Sequence, residues 1–469
     1  MTTLDPAAPR GRSGGDGAAV TDEPDEAAYR AALAALEERG RYGVRLGLGR
    51  TRALLRELGD PQLGLRGALV AGTNGKGSVL ALAGSAVRAA GLRVGETPKP
   101  HLISYLERLQ IDGRPVEAGT FARLVGEALA AADRVPARLG PPTEFELLTA
   151  VVFRWFAEQR LDLALVEVGL GGRLDATHAW DGGVAAITNV DLDHTERLGP
   201  TIAHIAREKA AIIERGDRAV TGTTGEALAI VRRRAARMHA PLTVAEPAPI
   251  LAVDRDGLVV DLPSIGETRV GLRGRHQAAN VAVADAILDA LGAAGMADVP
   301  PEARRRGYAT ARWPGRLELF TVDGRDVLLD GAHNPAGAAA LAEALGDLRP
   351  FLTPGRVTFL TATMADKDVA GICAALYDSP VLAGSRIIAT AINTPRALPA
   401  GRLATVWLNR MGRTATVETE PDLDRAVDRA LSGPEGPVIV AGSLYLVGAV
   451  RARLVADNGL RDPGDNRRR

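Results

Sequence analysis

The amino-acid sequence predicts an α/β protein with two domains, a larger N-terminal one and a smaller C-terminal one. Strand-like apolar runs alternate with amphipathic helical segments along most of the 469 residues, which is typical of parallel α/β sheets. A chain of this length exceeds what one hydrophobic core usually supports. A second alternating series begins near "RLELFTVDGRDVLLDG", so each domain is expected to have its own sheet.

The composition restricts the classes of partner. Acidic and basic residues are equal in number, at 57 each, which argues against broad binding to nucleic acid or to an anionic membrane. The single cysteine, Cys373, excludes an internal disulfide framework. There is no run of 18 apolar residues and no charged-then-apolar leader, so we expect a soluble cytoplasmic protein. Residues 1–25 are rich in Gly, Pro and acidic residues without periodicity, and we expect them to be a disordered tail.

The first elements of the N-terminal domain, placed at residues 26–311, are predicted from apolar patterns. Buried strands are expected at "GALVAG" (67–72), "LALVEVGL" (163–170) and "VAAITNV" (184–190). Helices are expected at about 78–90, 144–159 and 201–214.

The later elements begin with a β-rich patch, "ILAVDRDGLVVDLPSIGETRVGL", in which Asp-Gly predicts a turn. A helix is expected from about Gln277. The domain boundary is expected between Ala311 and Pro314. The C-terminal domain, residues 312–460, has strand-like runs at "RVTFLTATM", "RIIATAI" and "PVIVAGSLYL", which predict a Rossmann-like α/β domain. Residues 461–469 are expected to be a flexible tail.

The most specific motif is "VAGTNGKGSV", residues 70–79. A buried strand leads through a glycine-rich turn into a helix, and in this arrangement backbone N–H groups and a helix N-terminus bind phosphates. Lys76 is expected to reach the outer phosphates. The spacing differs from G-x-x-x-x-G-K-[ST], because Val70 takes the place of the first Gly and Gly77 separates Lys76 from Ser78. The motif nevertheless predicts a P-loop ATPase-type N-terminal domain; the alternative is a glycine-rich turn without a ligand.

Carboxylates follow the next strands. Glu167 lies inside an apolar strand, and a buried carboxylate needs a cation as its partner. That cation is either the P-loop lysine, in a structural ion pair, or Mg²⁺ held together with phosphate oxygens. Asp191, Asp193 and His194 end another strand. Because ligands bind at the carboxyl ends of strands in open α/β sheets, a binding site is predicted at this edge.

Lysine is scarce in this chain. The 57 basic residues include only Lys76, Lys99, Lys209 and Lys367. Arginine cannot supply a primary amine that loses its proton or takes a covalent group, so each lysine is a candidate for chemistry. Lys209 falls on the apolar face of a helix that Thr201 is expected to cap. Two interpretations stay open: the ammonium reaches water along the surface, or the amine belongs to a metal site, paired or covalently modified.

Ten motifs occur in order along residues 28–452. They are "AGTNGKGS", "PHLISYLERLQIDG", "TEFELLTA", "VEVGLGGRLDAT", "DHTERLGPTIAHIAREKAAII", "GRHQAANVAVADA", "RWPGRLE", "DGAHNPAGAAAL", "MADKD" and "GSLYLVG". Together they resemble the folylpolyglutamate synthase and dihydrofolate synthase family, within the Mur ligase superfamily of ATP-dependent amide ligases. The resemblance implies a ligase that joins L-glutamate to a folate or to dihydropteroate, with ATP and Mg²⁺, and we expect it to be a monomer.

The resemblance also implies roles for single residues. Those expected to bind ATP are Gly72, Thr73, Asn74, Gly75, Lys76, Gly77, Ser78, Asn280, Arg316 and Asp330. Those expected to hold Mg²⁺ are Ser78, Glu167, His194 and Lys209, the last as a carbamate formed with carbon dioxide. Those expected near the acceptor acid or the glutamate are Lys99, His101, Asp175, His333 and Ser443. The catalytic residues are expected to be Lys76, Lys209 and His333.

Three positions depart from the pattern of the resembling family. Lys99, in "PKPHL", replaces a serine that contributes a metal ligand in relatives, and His178 stands where Asn is usual. The segment "LTATMADKD" lacks the usual Phe-Gly. We expect Lys99 to turn toward the γ-phosphate or the acceptor carboxylate. Two other functions stay open: a related ligase acting on another acid, and a nucleotide-dependent switch, against which the second-domain motifs argue.

Overall fold

Three β-sheets organise the chain in the computed structural model. The described residues are 23–41, 43, 45–411, 416–433 and 435–455. Residues 1–22 of the expected N-terminal tail, and the whole expected tail at 461–469, lie outside them. The prediction was wrong for residues 23–25, which begin helix α1 (Glu23–Gly40). An ion pair of 2.8 Å between Glu26 and Arg30, one helical turn apart, supports the start of this helix.

The largest sheet has eight strands, and the three strands predicted around the P-loop and the first carboxylates are confirmed, although the predicted strands at 163–170 and 184–190 each end three residues earlier than expected. Its strands are β1 (Gly67–Ala71), β2 (Val94–Thr97), β3 (Gln110–Ile111), β4 (Arg114–Pro115), β5 (Leu163–Glu167), β6 (Gly183–Ile187), β7 (Arg218–Thr221) and β8 (Leu242–Val244). The order is β4-β3-β2-β5-β1-β6-β7-β8, parallel except at β3 and β4. The central position of β1 places the P-loop at the middle of the sheet edge.

Helices cover both faces of this sheet. They are α2 (Gly49–Glu57), α3 (Lys76–Ala89), α4 (Ala118–Ala132), α5 (Glu144–Glu158), α6 (Thr195–Leu198), α7 (Ile202–Ala210), α8 (Gly225–Met238), α9 (Gln277–Ala293) and α10 (Pro301–Thr310). The predicted helix at 201–214 was wrong at its end, since α7 stops at Ala210. Ile212 and Ile213 are still buried, so the apolar pattern continues into a turn and indicates burial rather than helix there.

The β-rich patch forms a separate antiparallel sheet, as predicted. Its strands are β9 (Ile250–Asp254), β10 (Gly257–Leu262) and β11 (Gly266–Val270). This sheet packs beside α9 and α10, so it is continuous with the apolar core on one face of the large sheet.

The third sheet has six strands. They are β12 (Glu318–Val322), β13 (Arg325–Leu329), β14 (Thr358–Thr361), β15 (Arg386–Ala389), β16 (Thr416–Thr419) and β17 (Val438–Ala441), in the order β12-β13-β17-β14-β15-β16. The helices of this part are α11 (Pro335–Leu348), α12 (Val369–Tyr377), α13 (Ala400–Met411), α14 (Leu423–Leu431) and α15 (Leu444–Leu454). Only β12 is antiparallel to its neighbour. The predicted domain boundary falls between α10 and β12. None of the described helices is long and apolar enough to cross a membrane.

Candidate active site

A cleft of about 810 Å³ lies where the carboxyl ends of the eight-stranded and six-stranded sheets face each other. Segments that follow β1, β2, β5, β6 and β7 line one side, and segments that follow β13, β14 and β17 line the other. Loops at the carboxyl ends of parallel strands supply ligand-binding groups in open α/β sheets. The cleft is therefore the candidate active site, and the convergence predicted from the strand ends is confirmed.

The P-loop presents backbone donors to the cleft. The N–H groups of Thr73 and Asn74 both donate to the side-chain oxygen of Asn189, at 3.2 and 2.8 Å. Gly75 adopts a left-handed conformation (φ 82°), which favours glycine. At Gly77, a Cβ atom would collide with the ring of Trp313. The two N–H groups converge on one oxygen, which is the arrangement that binds an anion, and a phosphate oxygen would take the place of the Asn189 amide oxygen there.

Two lysines meet at the P-loop. Lys76 Nζ donates to Gly72 O at 3.0 Å and to Thr73 O at 3.1 Å, while Lys209 Nζ donates to the same Gly72 O at 2.8 Å. Lys209 is 5% exposed, and burial, together with the charge of Lys76, lowers its pKa to about 7. The interpretation that this ammonium reaches water was wrong, because the side chain points into the nucleotide-binding edge of the sheet.

Glu167 is buried at the end of β5, close to the P-loop lysine. Its Oε1 lies 3.9 Å from Lys76 Nζ, and its Oε2 accepts a hydrogen bond from the Lys99 backbone N at 3.0 Å. Burial raises the pKa of Glu167, and Lys76 opposes that rise. The ion pair with Lys76 is present but longer than a hydrogen bond, so a metal ion can bind the carboxylate as well.

The donor set at this end of the cleft fits Mg²⁺ bound together with phosphates. Among the described residues, no three His, Cys, Asp or Glu side chains cluster as a complete metal site. Mg²⁺ commonly takes one or two carboxylates and completes its octahedron with water and phosphate oxygens. Glu167 and the Ser78 hydroxyl, whose contact with Gln277 is a long 3.5 Å, suit that partial set.

Asp193 links the two sides of the cleft. Its Oδ1 lies 3.8 Å from Lys367 Nζ, which belongs to the C-terminal part, and its Oδ2 lies 3.8 Å from His194 Nε2. Burial tends to raise the pKa of Asp193, but His194 and Lys367 outweigh it and lower that pKa overall. Burial lowers the pKa of His194, which favours the neutral imidazole that can bind a metal.

Asn280 and Arg316 lie where the resemblance implies contacts with ATP. The side-chain oxygen of Asn280 abuts Gly75, and its Nδ2 donates to Gln277 at 2.8 Å. The Arg316 guanidinium packs against Gly331, where a side chain would collide with it. Both residues line the cleft beside the P-loop.

The C-terminal side of the cleft contributes Asp330, His333 and Ser443. Asp330 accepts hydrogen bonds from the N–H groups of Leu317 and Ala332, each at 2.9 Å, and burial raises its pKa. His333 Nδ1 lies 2.7 Å from Gly331 O, and burial lowers the pKa of this imidazole to about 4. Nδ1 therefore carries the proton and Nε2 keeps a lone pair. Ser443 caps α15, accepting from the Tyr445 N–H at 3.2 Å.

Two predicted substrate residues have local partners instead. His101 is not among the residues that line the cleft; its Nδ1 accepts a hydrogen bond of 2.8 Å from Nε of Arg108, which does line it. Asp175 lines the cleft, but its oxygens accept three hydrogen bonds, from the Leu170 N–H and from the N–H and hydroxyl of Thr177. Their contact with substrate stays a prediction.

Sequence reasoning missed Arg108 and Asn189. Arg108 lies in "YLERLQ" and Asn189 in "ITNVD", both inside or beside the motifs quoted above. The only sequence signal for their role was that each is a polar residue in such a segment. Only the fold shows that the side chains face the cleft and the P-loop.

Fold and site together define a P-loop nucleotide-binding protein in which a second α/β domain faces the phosphate-binding loop. Residues 317–454 match the family "Dihydrofolate synthetase, C-terminal domain". The chain is 33% identical over 439 residues to dihydrofolate synthase/folylpolyglutamate synthase of Bacillus subtilis, covering 91% of this chain and 99% of that protein. The chain therefore belongs to the dihydrofolate synthase/folylpolyglutamate synthase family.

Solved structures agree with this membership. Folylpolyglutamate synthase of Mycobacterium tuberculosis, complexed with ADP and AMPPCP, superimposes with a TM-score of 0.80 at 33% identity, covering 92% of this chain and 99% of that one. A bifunctional folylpolyglutamate synthase/dihydrofolate synthase with Mn, AMPPNP and L-glutamate bound gives a TM-score of 0.76 at 30% identity, with coverages of 91% and 98%.

Proposed function

We propose that this protein is an ATP-dependent ligase that joins L-glutamate to a folate, to dihydropteroate, or to both. One observation carries the proposal. A single cleft contains the P-loop with Lys76 on one side and the pair His333 and Ser443 on the other. A nucleotide and two further small molecules can therefore meet in one place. The structures of relatives with ATP analogues, and in one case with L-glutamate, support the same assignment.

The reaction requires activation of a carboxylate, which is a poor acyl donor. The acceptor carboxylate oxygen attacks the γ-phosphorus of ATP, the bond to ADP breaks, and an acyl phosphate forms. The amine of glutamate then attacks the acyl carbon and loses a proton, phosphate leaves, and an amide remains. Lys76 and the N–H groups of Thr73 and Asn74 would offset charge on the phosphates, which is positioning and electrostatics rather than covalent catalysis. Neutral His333 would accept a hydrogen bond from the amine through Nε2.

Glu167, Ser78 and His194 would hold Mg²⁺ in the working enzyme. Bound there, Mg²⁺ supplies positive charge that neutralises the phosphate oxygens. Lys209 would carry a carbamate. Its burial and its position beside the Lys76 ammonium support that modification, because a carbamate replaces one of two adjacent cations with an anion.

We also propose that the enzyme works as a monomer in the cytoplasm. One chain lines the whole cleft, so no second copy is needed to complete it. The cytoplasm supplies ATP, and the only cysteine, Cys373, is free and buried.

The test is substrate-dependent release of ADP from the purified protein. We expect release only when ATP, L-glutamate and an acceptor are all present, with dihydropteroate, tetrahydrofolate and its polyglutamates as the acceptors tried. ADP release that needs neither glutamate nor an acceptor would indicate a nucleotide-dependent switch. Glutamate-dependent release with none of the pteridine acids, but with another carboxylic acid, would indicate the alternative ligase.

A further inference from the structure

Two cations on one wall of the cleft have no carboxylate partner within the described part of the chain. Lys99 follows β2, and Arg108 precedes β3; both line the cleft. Among the described residues, no carboxylate oxygen lies within 4 Å of either charged group, although the chain forms many such pairs elsewhere. Both residues are only partly exposed, and a partly buried charge is stabilised by an opposite charge, so an anion from outside the chain is the missing partner.

The Lys99 ammonium has one hydrogen bond and a weak aromatic neighbour. Nζ donates to the backbone oxygen of Glu167 at 2.6 Å and stands 4.9 Å from the centre of the Phe145 ring. An ammonium has three N–H donors, and a neutral carbonyl satisfies one of them without cancelling the charge. The remaining donors can reach an anionic oxygen in the cleft.

Arg108 is held in place by a neutral acceptor. Its Nε donates to His101 Nδ1 at 2.8 Å, and its guanidinium lies 5.1 Å from the centre of the Tyr105 ring. Burial, with a smaller effect of Arg108 itself, lowers the pKa of His101 to about 3, so the imidazole is neutral. Neither Nη atom of Arg108 has a hydrogen-bond acceptor among the described residues. The end of the guanidinium formed by the two Nη atoms is therefore available to bind a carboxylate through two parallel hydrogen bonds.

The nearby acids are already engaged. Both oxygens of Asp175 accept hydrogen bonds from its own loop, and Glu167 turns one oxygen to the Lys99 backbone and the other toward Lys76. These carboxylates moderate the positive field around Lys99 without contacting its ammonium. The three cations Lys76, Lys99 and Arg108 outnumber these two carboxylates, so the net local charge stays positive and favours an incoming anion.

We propose that Lys99 and Arg108 bind a carboxylate of the acceptor acid, an inference that rests on the proposed function. Phosphates have their own donors on the P-loop. The Phe145 ring beside Lys99 gives the organic part of an acid an apolar surface that a phosphate would not use. His101 is then a positioning residue that acts through Arg108, rather than a substrate ligand.

The experiment compares Lys99→Met and Arg108→Gln with Arg114→Gln, an exposed arginine of the same segment. Each substrate is varied in turn, and acceptor binding is measured by calorimetry with ADP present. We expect KM and Kd for the acceptor to rise roughly tenfold or more in the first two variants, the loss of a charge-assisted contact. KM for ATP and for glutamate should stay within about twofold of the wild-type values. Arg114→Gln should match the wild type.

The choice of acceptor distinguishes two carboxylates. Dihydropteroate carries only the carboxylate that reacts, whereas tetrahydrofolate carries a second one. If the acceptor KM rises equally for both acceptors, Lys99 and Arg108 bind the reacting carboxylate. If it rises only for tetrahydrofolate, they bind the second carboxylate of that acceptor. His101→Ala should raise the acceptor KM in the wild type but not in the Arg108→Gln background.

Two results would overturn the inference while leaving the proposed function standing. One is an active wild type whose Lys99 and Arg108 variants keep normal acceptor KM and Kd. The other is a loss confined to ATP, which would assign the cations to phosphate. A wild type that turns over no pteridine acid would overturn the proposed function, and the inference with it.

Discussion

At the scale of single residues, the carbonyl oxygen of Gly72 is unusual because two lysine ammonium groups donate to it. It accepts hydrogen bonds from Lys76 and from Lys209, at 3.0 and 2.8 Å. Two ammonium groups on one neutral acceptor repel each other, and this repulsion adds to burial in lowering the pKa of Lys209. A nucleotide phosphate would draw Lys76 away, and a carbamate would reverse the charge of Lys209. Either event would relieve the repulsion.

The first prediction concerns Lys209→Ala and Lys209→Arg. If the carbamate works in catalysis, both variants should fold and lose turnover by at least about tenfold, because neither side chain can form it. Short carboxylic acids should restore part of the activity of Lys209→Ala, whose cavity can admit them, and less of that of Lys209→Arg. The wild type should show a carbonyl signal in carbon-13 NMR after exposure to labelled carbon dioxide. Full activity of the Ala variant would exclude the role.

At the scale of elements, α7 brings Lys209 to the P-loop. Thr201 caps the helix by accepting from the His204 N–H at 3.3 Å, and the helix ends at Ala210, one residue after the lysine. The following turn returns to β7 through Asp217, which accepts from the Glu214 N–H at 2.7 Å. A short helix followed at once by a tight turn fixes the position of its last residues.

The second prediction concerns Asp217→Asn in that turn. Burial raises the pKa of Asp217 to about 8, and the neighbouring Asp181 carboxylate adds to this rise. The hydrogen bond from the Glu214 N–H acts in the opposite direction and lowers the pKa. Because the folded-state pKa is raised, the stabilising effect of this proton is complete below pH 4 and is lost as the pH rises toward 8. Urea unfolding should show wild-type stability falling over this range and a flatter profile for Asp217→Asn. The exposed control Asp298→Asn should keep the wild-type slope; equal slopes for all three proteins would contradict the assignment.

At the scale of the whole molecule, polar contacts link the N-terminal and C-terminal parts of the chain. Arg255, in the β9–β10 turn, donates to both carboxylate oxygens of Asp326 and to Phe351 O, and Thr353 also binds Asp326. On the cleft side, Lys367 faces Asp193 at 3.8 Å. These contacts hold together the two parts of the chain that line the cleft, where substrates from both sides must meet.

The third prediction concerns Arg255→Ala. Removal of the guanidinium leaves the buried Asp326 carboxylate without its cation, and we expect the free energy of unfolding to fall by about 1 to 3 kcal/mol. Arg275→Ala removes a more exposed pair with Asp347 and should cost about 1 kcal/mol or less. Chemical unfolding measures both. If both variants lose the same free energy of unfolding, the Arg255 contact stabilises the protein no more than an ordinary surface ion pair.

The sequence by itself determined the elements and the chemical inventory of the site. Unbroken apolar runs specify buried strands, and a glycine-rich turn with a lysine specifies a phosphate loop, because these signals depend on neighbours along the chain. The domain limits remain predictions. The scarcity of lysine marked Lys76, Lys99 and Lys209, all of which line the cleft or reach the P-loop.

Only the tertiary structure decided which groups meet. Lys209 reaches Gly72 from a distant segment, and the Asn189 side-chain oxygen reaches the P-loop in the same way. The hydrogen bond from Arg108 orients the His101 ring. Local sequence patterns encode none of these contacts. The end of α7 was misread for the same reason, since Ile212 and Ile213 are buried by packing rather than by helix formation. A sequence pattern records whether a side chain is buried, whereas strand order, register and sheet packing determine what it is buried against.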